Sequence, residues 1–266
     1  MTPPLHLRLS LLPLLAALLL FPTGCAKNSL PVGGSDPKVF SLLLSRGYFS
    51  VRQYDSPQSP KALIIFGSGD GGWKIWEERA CRALALAGFR VIGWDTRLYA
   101  NRRFDAVILG NDLQKMAKSG QGTNGPSIPV IYGGYSTGAE QSVAAAAWNL
   151  KVGKKELNPE ALLLVAPGKR GRFGITAADL IGITPRGEGS FALSDMAPAI
   201  AEIPVAQIHG THDPLDSTDW LSLLKAPHRL YSIDGAWHSF GDADEELQRT
   251  LVEAARWILQ EISDQK

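Results

Sequence analysis

An apolar run leads directly into a G-x-S-x-G motif in the stretch Pro129-Val130-Ile131-Tyr132-Gly133-Gly134-Tyr135-Ser136-Thr137-Gly138-Ala139. Pro129 to Gly133 predicts a buried strand, and the alanine-rich stretch that begins at Ala139 predicts a helix. A strand and a helix joined so tightly cross closely, and the crossing requires small residues two places on either side of the serine. Gly134 and Gly138 meet this requirement. The motif therefore predicts that the serine hydroxyl is exposed on a strained strand-to-helix turn.

Short apolar runs alternate with helix-length segments along the rest of the chain. The predicted strands are Tyr48 to Tyr54, Ala62 to Phe66, Arg90 to Trp94, Pro129 to Gly133, Ala161 to Val165, Val205 to His209 and Arg229 to Ile233. The predicted helices are Trp73 to Ala87, Phe104 to Lys118, Ala139 to Asn149, Thr218 to Leu224 and Asp244 to Ile262. This alternation is typical of an α/β fold with a doubly wound, mainly parallel sheet covered on both faces. In such sheets, reactive groups collect at the carboxyl ends of the strands.

Size and composition favour a single domain and exclude one class of function. The chain has 266 residues with a formal net charge of +1, and 45% of its residues are apolar. A charge so close to zero provides no electrostatic footprint for DNA or RNA, so we exclude nucleic-acid binding. Residues Gly168 to Ile200 are too few for a large separate lid, and we expect a fairly open site. The folded domain is predicted to be residues 41–266.

The N-terminal segment has the pattern of an export signal. His6 and Arg8 precede an apolar run from Leu9 to Phe21, which is too short to span a bilayer but suits the core of a signal peptide. We therefore predict a signal peptide over residues 1–24. The next residue, Cys25, ends a segment that resembles a lipoprotein processing site, which predicts acylation of Cys25 and a membrane anchor. Plain secretion is the alternative.

Residues 25–40 are predicted to be a tether between this anchor and the folded domain. The part from Asn28 to Pro37 is rich in Gly, Pro and Ser, as flexible linkers are. Once Cys25 is acylated, Cys81 is the one cysteine left, so no intramolecular disulfide is expected. Cys81 lies among apolar residues on a predicted helix, where a small buried thiol is expected rather than a reactive one.

A serine hydroxyl becomes a good nucleophile only when a base removes its proton during attack, so a histidine must lie within hydrogen-bonding distance. The five histidines are His6, His209, His212, His228 and His238. The first is removed with the predicted signal, and the next three lie at the ends of predicted strands, where structural hydrogen bonds are expected. His238 instead lies in a loop between the last predicted strand and the last predicted helix. We predict that it is the general base.

The acid that orients this histidine is predicted to be Asp213. It follows the strand Val205 to His209, and the chain order Ser136, Asp213, His238 is that of the α/β-hydrolases. Asp216 and Asp234 are the alternative acids. A zinc site formed by the two histidines near Asp213 is a weaker hypothesis, because the group lacks a fourth ligand. We predict no bound metal.

A glycine-rich loop, Gly67-Ser68-Gly69-Asp70-Gly71-Gly72, follows the strand Ala62 to Phe66. In a serine hydrolase this loop supplies a backbone N–H that binds the negative oxygen of the tetrahedral intermediate, together with the N–H of the residue after the nucleophile. The predicted donors of this oxyanion hole are the backbone N–H groups of Asp70 and Thr137. Ser68 is the alternative to Asp70.

The same loop also satisfies G-x-G-x-x-G through Gly67, Gly69 and Gly72. Asp95 follows at a strand end, as a dinucleotide site requires. Against this interpretation, an exported protein meets little nicotinamide cofactor, and Asp70 would put a negative charge beside the pyrophosphate. We therefore predict no cofactor.

Four segments resemble the bacterial virulence proteins VirJ and AcvB, a group within the α/β-hydrolases. They are Ser68-Gly69-Asp70-Gly71-Gly72-Trp73, Val91-Ile92-Gly93-Trp94-Asp95, Gly134-Tyr135-Ser136-Thr137-Gly138-Ala139 and Phe173-Gly174-Ile175-Thr176. The resemblance implies an α/β-hydrolase fold without a large lid and a periplasmic enzyme. For AcvB-like members it implies cleavage of the lysyl ester of lysyl-phosphatidylglycerol, and for VirJ a link to a type IV secretion partner.

The functional prediction is therefore a serine hydrolase that cleaves a carboxylic ester of a small molecule or a lipid. Lys169, Arg170 and Arg172 follow the strand Ala161 to Val165 at the edge where the site should open, and they are predicted to attract a lipid phosphate. A solvated basic loop is the alternative. The second functional hypothesis is a binding or assembly factor that has a hydrolase fold but an inactive triad.

Overall fold

The structure is a computed structural model that describes residues 35–122, 127–153, 157–178, 181 and 183–266. The strands in these ranges are β1 (Lys38–Leu44), β2 (Gly47–Tyr54), β3 (Leu63–Gly67), β4 (Arg90–Trp94), β5 (Val130–Tyr135), β6 (Ala161–Val165), β7 (Arg170–Arg172), β8 (Ser190–Ala192), β9 (Val205–Gly210) and β10 (His228–Ile233). The α-helices are α1 (Ile75–Leu86), α2 (Thr96–Tyr99), α3 (Ala106–Gln121), α4 (Thr137–Lys151), α5 (Leu193–Met196) and α6 (Asp244–Asp264).

The main sheet has eight strands in the order β1-β2-β4-β3-β5-β6-β9-β10. β1 and β2 are antiparallel to each other and β2 is antiparallel to β4, whereas all the strands from β4 to β10 in this order run parallel. β7 and β8 form a separate antiparallel pair. The predicted doubly wound, mainly parallel sheet is confirmed. Because the parallel strands end at one edge, the loops after β3, β5, β9 and β10 lie together there.

Helices cover both faces of the sheet because its central strands are apolar on both sides. β3 and β6 are buried along their whole length, as strands of a covered parallel sheet are. On one face Ile65 packs in a core with residues of α3 and α4, and on the other face Ile64 packs in a core with residues of α1 and α6. The apolar stripe predicted for the last helix, Leu247, Leu251, Ala254, Ile258 and Ile262, is buried.

The predicted strands and helices have ends within three residues of those in the structure, with one change of type. The segment predicted as a helix from Thr218 to Leu224 forms a 3-10 helix, Asp219–Leu223. The described part of the chain also contains short elements that the sequence pattern did not indicate. These are β1, β7, β8, α2, α5 and a 3-10 helix over Ala197–Ala199.

β1 overlaps the predicted tether. The strand begins at Lys38, and Lys38 pairs with Gln53 of β2, so the last residues of the segment 25–40 belong to the sheet. β1 lies at the edge, and Val39 and Leu43 are 59% and 56% exposed. An edge strand that buries so few apolar residues has no strong period-two pattern, which is why the sequence did not predict it.

Three predictions lie outside the described residues: the signal peptide over residues 1–24, the acylation of Cys25 and most of the tether. Among the helices that the structure describes, none is long and apolar enough to cross a bilayer. Cys81 is a free thiol that is fully buried in α1, in the position predicted from its apolar neighbours.

Candidate active site

Ser136 lies on a sharp turn between β5 and α4. Its backbone has φ 49° and ψ −118°, a conformation that costs energy for a residue with a side chain. A Cβ on Gly134 would lie 2.7 Å from the carbonyl oxygen of Gly67, and a Cβ on Gly138 would collide with that same oxygen. The glycines therefore allow the elbow to press against the end of β3, as the motif predicted.

His238 and Asp213 meet Ser136 at the carboxyl edge of the sheet. The Nε2 atom of His238 is 3.0 Å from the Oγ of Ser136, and its Nδ1 atom is 2.7 Å from Oδ2 of Asp213. Asp213 follows β9 and His238 follows β10, so the two adjacent parallel strands deliver the acid and the base side by side. With Nδ1–H donating to the carboxylate, Nε2 is left to accept the serine proton.

Burial differs between the acid and the base in a way that suits this chemistry. The Asp213 side chain is fully buried, whereas the imidazole of His238 is 25% exposed. The second oxygen of Asp213 accepts a hydrogen bond of 2.9 Å from the Leu215 N–H. These two bonds hold the carboxylate in one orientation, so it can stabilise the charged imidazole without rotating.

Tyr135 holds the histidine loop and was not singled out by the sequence. Its hydroxyl donates a 2.9 Å hydrogen bond to the carbonyl oxygen of His238, and its ring lies 5.2 Å from the imidazole. On the other side it makes an edge-to-face contact with Trp76, at 4.5 Å between centroids. Burial raises the pKa of the Tyr135 hydroxyl well above its usual range, so the group remains a neutral donor. Its position next to Ser136 in the motif was the one available signal.

The alternative acids have other partners. Asp216 accepts a hydrogen bond of 2.9 Å from the side chain of Gln207, and its Oδ2 lies 3.9 Å from Nδ1 of His209. Burial, and then the neighbouring Asp213, raise the pKa of Asp216 to about 8. Asp234 accepts a 3.1 Å bond from the hydroxyl of Thr211.

The remaining histidines of the folded domain do not reach the serine. His209 is 2.9 Å from the Ser232 hydroxyl, and His212 lies against the ring of Trp237. His228 is at the start of β10, which is the opposite edge of the sheet. His209, His212 and Asp213 therefore have separate partners. The zinc hypothesis requires that they surround a common point, and among the described residues no such group of ligands is found.

The glycine-rich loop lies beside the elbow. The N–H of Ser68 donates to the carbonyl oxygen of Trp94 at 3.1 Å, so this group is engaged in the sheet and does not serve as the alternative oxyanion donor. Asp70 lines the same cavity as Ser136 and His238. Thr137 also lines it and is the first residue of α4, where an N–H has no partner within the helix. The loop and the helix start thus flank the nucleophile from two sides.

The glycines and the aspartate that suggested a dinucleotide site make structural contacts within the protein. Gly67 lies against the elbow glycines, and a Cβ on Gly69 would lie 2.8 Å from the ring of Tyr135. Asp95 accepts bonds from the N–H groups of Trp73 and Leu98, at 3.1 and 2.9 Å, and so caps α2. Gly67 and Gly69 therefore contact the elbow of the serine, and Asp95 joins the glycine-rich loop to α2.

A cavity of about 510 Å³ opens at Ser136. Its lining includes four acidic residues, Asp70, Glu140, Asp216 and Asp219, and two basic residues, Lys169 and Arg170. Glu140 is nearly buried, and its carboxylate accepts a 3.0 Å bond from the Gly168 N–H. Because the pKa of Asp216 is about 8, that side chain is mostly neutral near pH 7 and adds little negative charge to the cavity wall.

The three basic residues predicted to attract a phosphate have different environments. Lys169 is exposed and lines the cavity. Arg170 also lines it, but its guanidinium donates to the Pro185 carbonyl oxygen at 3.0 Å and to the Ser190 hydroxyl at 3.1 Å. Arg172 donates to two backbone carbonyl oxygens at 3.1 and 2.8 Å and is absent from the cavity lining. Arg172 therefore links the two sides of the β7–β8 hairpin, and Lys169 is the better candidate for a phosphate.

The fold and the elbow together define an α/β-hydrolase. The chain belongs to the bacterial virulence protein (VirJ) family, whose model matches residues 61–258. No curated protein matches the sequence.

Solved structures of esterases and hydrolases share the fold. Est1E from Butyrivibrio proteoclasticus has a TM-score of 0.61 at 13% identity, covering 86% of this chain and 100% of its own. Dienelactone hydrolase from Anabaena variabilis has a TM-score of 0.58 at 20% identity, covering 82% and 97%. A lidless α/β serine hydrolase from Xanthomonas campestris has a TM-score of 0.58 at 19% identity, covering 85% and 96%. At these identities the similarity shows the fold alone.

Proposed function

We propose that this protein is a serine hydrolase that cleaves a carboxylic ester with Ser136, His238 and Asp213. The observation that carries the proposal is the pair of contacts around His238, 3.0 Å to the serine Oγ and 2.7 Å to the aspartate. Both distances are within hydrogen-bonding range, as a nucleophile, its base and the acid that orients the base require. The strained backbone of Ser136 is further support, because such strain persists where a site depends on it.

The reaction has two steps. Ser136 Oγ attacks the ester carbonyl while Nε2 of His238 takes its proton, and the buried Asp213 carboxylate stabilises the imidazolium. The backbone N–H groups of Asp70 and Thr137 bind the oxygen that becomes negative. The imidazolium then gives its proton to the leaving alcohol, which leaves an acyl-serine. A water molecule then attacks the acyl group while His238 takes one of its protons, and His238 returns a proton to the Oγ of Ser136 as the carboxylic acid leaves.

For the substrate, we propose an aminoacyl ester of a phospholipid, such as lysyl-phosphatidylglycerol. Asp70, Glu140 and Asp219 in the cavity wall complement the ammonium groups of a lysyl ester, and the exposed Lys169 complements a phosphate. In this proposal the protein acts on the periplasmic side of a bacterial membrane, held there by acylated Cys25. The sequence patterns at the N-terminus support that location.

The decisive experiment uses the purified protein and two assays. A fluorophosphonate probe should label the wild type and fail to label Ser136→Ala. A lipid panel should then compare lysyl-phosphatidylglycerol, phosphatidylglycerol and a simple short-chain ester. Faster release of lysine than of the simple acid would support the lipid substrate. Absence of labelling in a folded wild type would reject the hydrolase and favour a VirJ-like accessory protein that binds a secretion partner without catalysis.

A further inference from the structure

One wall of the substrate cavity is a loop segment that has no buried residue. Residues 183–185 line the cavity together with Ser136 and His238. None of the residues 183–188 is buried, and the side chain at the cavity, Ile183, is 53% exposed. Apolar packing therefore does little to fix this segment. Its position depends instead on the hydrogen bonds that hold its backbone.

Two arginines of β7 hold the segment by its carbonyl oxygens. The guanidinium of Arg170 donates to the Pro185 carbonyl oxygen at 3.0 Å and to the Ser190 hydroxyl at 3.1 Å. Arg172 donates to two carbonyl oxygens that lie farther along the chain, beyond the residues that line the cavity. Of the two arginines, Arg170 is therefore the one whose bond ends in the cavity wall.

β7 is itself fixed to the elements that carry the triad. Gly168, just before this strand, pairs with Asp216 in the loop after β9, and its N–H donates to the carboxylate of Glu140 at 3.0 Å. Glu140 lies one turn after Ser136, and its own N–H donates to the Ser136 carbonyl oxygen at 3.0 Å. The distance between the wall and the nucleophile therefore depends on the bond from Arg170 to the wall.

We propose that Arg170 is a positioning residue that determines size selectivity, because it holds residues 183–185 at a fixed distance from Ser136 and so limits the group that fits between them. The inference rests on the proposed serine hydrolase function. Selectivity is a ratio of kcat/KM values for two substrates, so a displaced wall changes this ratio even when the triad is intact.

The shape of the guanidinium, rather than its charge, is what this role requires. Its planar fork donates in two fixed directions, to Pro185 and to Ser190. Arg170→Lys keeps the positive charge, but an ammonium is a compact donor that does not reproduce the fork. Arg170→Gln removes the charge as well. Attraction of a substrate phosphate would be kept in the lysine variant, whereas the hold on the wall should be lost in both variants.

The test uses two neutral esters of one alcohol, an acetyl ester and an octanoyl ester. Steady-state kinetics give kcat and KM of the wild type, Arg170→Lys and Arg170→Gln for each ester. The ratio of kcat/KM for the octanoyl ester to that for the acetyl ester should rise roughly 10-fold in both variants. The change should lie mainly in a lower KM for the octanoyl ester, because the wall yields to the longer chain while the reacting groups keep their places.

Arg103→Ala is the matched control. Arg103 also contacts the segment, through an ion pair of 3.0 Å with Glu188, and neither of these side chains lines the cavity. Both are largely exposed, at 70% and 85%, and exposed ion pairs contribute little to holding a loop. This variant should therefore keep the ratio of the wild type.

The outcomes separate the two proposals. If a fluorophosphonate probe does not label the wild type, the hydrolase proposal fails and this inference fails with it. If the probe labels folded Arg170 variants that keep the wild-type ratio, the positioning role alone is wrong. It is equally wrong if Arg170→Lys matches the wild type and Arg170→Gln is altered only with anionic esters, because charge would then explain the effect.

A further variant covers the case in which neither Arg170 variant folds. Ser190→Ala removes one of the two acceptors of the Arg170 guanidinium and should raise the same ratio several-fold. A folded Ser190→Ala with the ratio of the wild type would overturn the inference.

Discussion

The hydroxyl of Tyr135 donates a 2.9 Å hydrogen bond to the backbone carbonyl of His238, so the residue before the nucleophile holds the loop of the base. This bond joins β5 to the loop after β10, two parts of the chain that are distant in sequence. It restricts the imidazole to the side of the cavity where Ser136 lies. The phenol remains protonated over the working pH range because burial raises its pKa.

Replacing Tyr135 with phenylalanine should therefore affect the base more than the fold. The ring contacts with Trp76 and His238 are kept, and one hydrogen bond is lost, which should cost about 1 kcal/mol of unfolding free energy. We expect kcat to fall several-fold because the loop that carries His238 samples more positions. Steady-state kinetics with a short-chain ester and urea unfolding measure the two effects. An unchanged kcat would show that the loop is held by other contacts.

The backbone strain at Ser136 should appear as a difference in stability between two inactive variants. A glycine adopts a φ of 49° without steric strain, whereas an alanine has the same steric conflict as the serine. Ser136→Gly should therefore be more stable than Ser136→Ala, by roughly 1 kcal/mol. Thermal and urea unfolding of the two purified variants provide the comparison. Equal stability would mean that the flexibility of glycine in the unfolded chain offsets the relief of strain.

Asp216 should make stability depend on pH. Its pKa is raised from 3.8 to about 8 in the folded protein, so the native state holds the proton more tightly than the unfolded chain does. The contribution is complete below about pH 4 and is lost as the pH rises toward 8, so the free energy of unfolding should fall across this window. Asp216→Asn, which carries no titrating proton, should flatten this decline. Urea midpoints measured from pH 5 to pH 9 test it, and parallel curves for the two proteins would contradict it.

Lys169 and Arg172 should differ in what their removal changes. Lys169→Ala should raise KM for an anionic lipid ester by several-fold and leave KM for a neutral short-chain ester unchanged, because it lines the cavity and is exposed. Arg172→Ala should lower stability, because its guanidinium joins the two sides of a hairpin through the carbonyl oxygens of Glu188 and Arg186. Kinetics with both esters for each variant make the comparison. Equal effects of the two variants on KM would restore Arg172 as a phosphate ligand.

The prediction from sequence was strongest where local chemistry is decisive. The G-x-S-x-G motif predicted the elbow because only glycine fits where Gly134 and Gly138 meet β3. The prediction from sequence was weaker at the edge of the sheet, where β1 buries few of its apolar residues. It was also weaker in the β7–β8 pair, whose strands are three residues long. A short or exposed strand has too few alternating positions to give a pattern.

The residue types and their order along the chain were enough to nominate Ser136, Asp213 and His238. The tertiary structure decided which acid reaches His238, because Asp213 and Asp216 are close in sequence but have different partners in space. It also decided which N–H groups of the glycine-rich loop are already hydrogen-bonded, as that of Ser68 is. Local sequence determines which groups are available, and the packing of distant segments determines which of them meet.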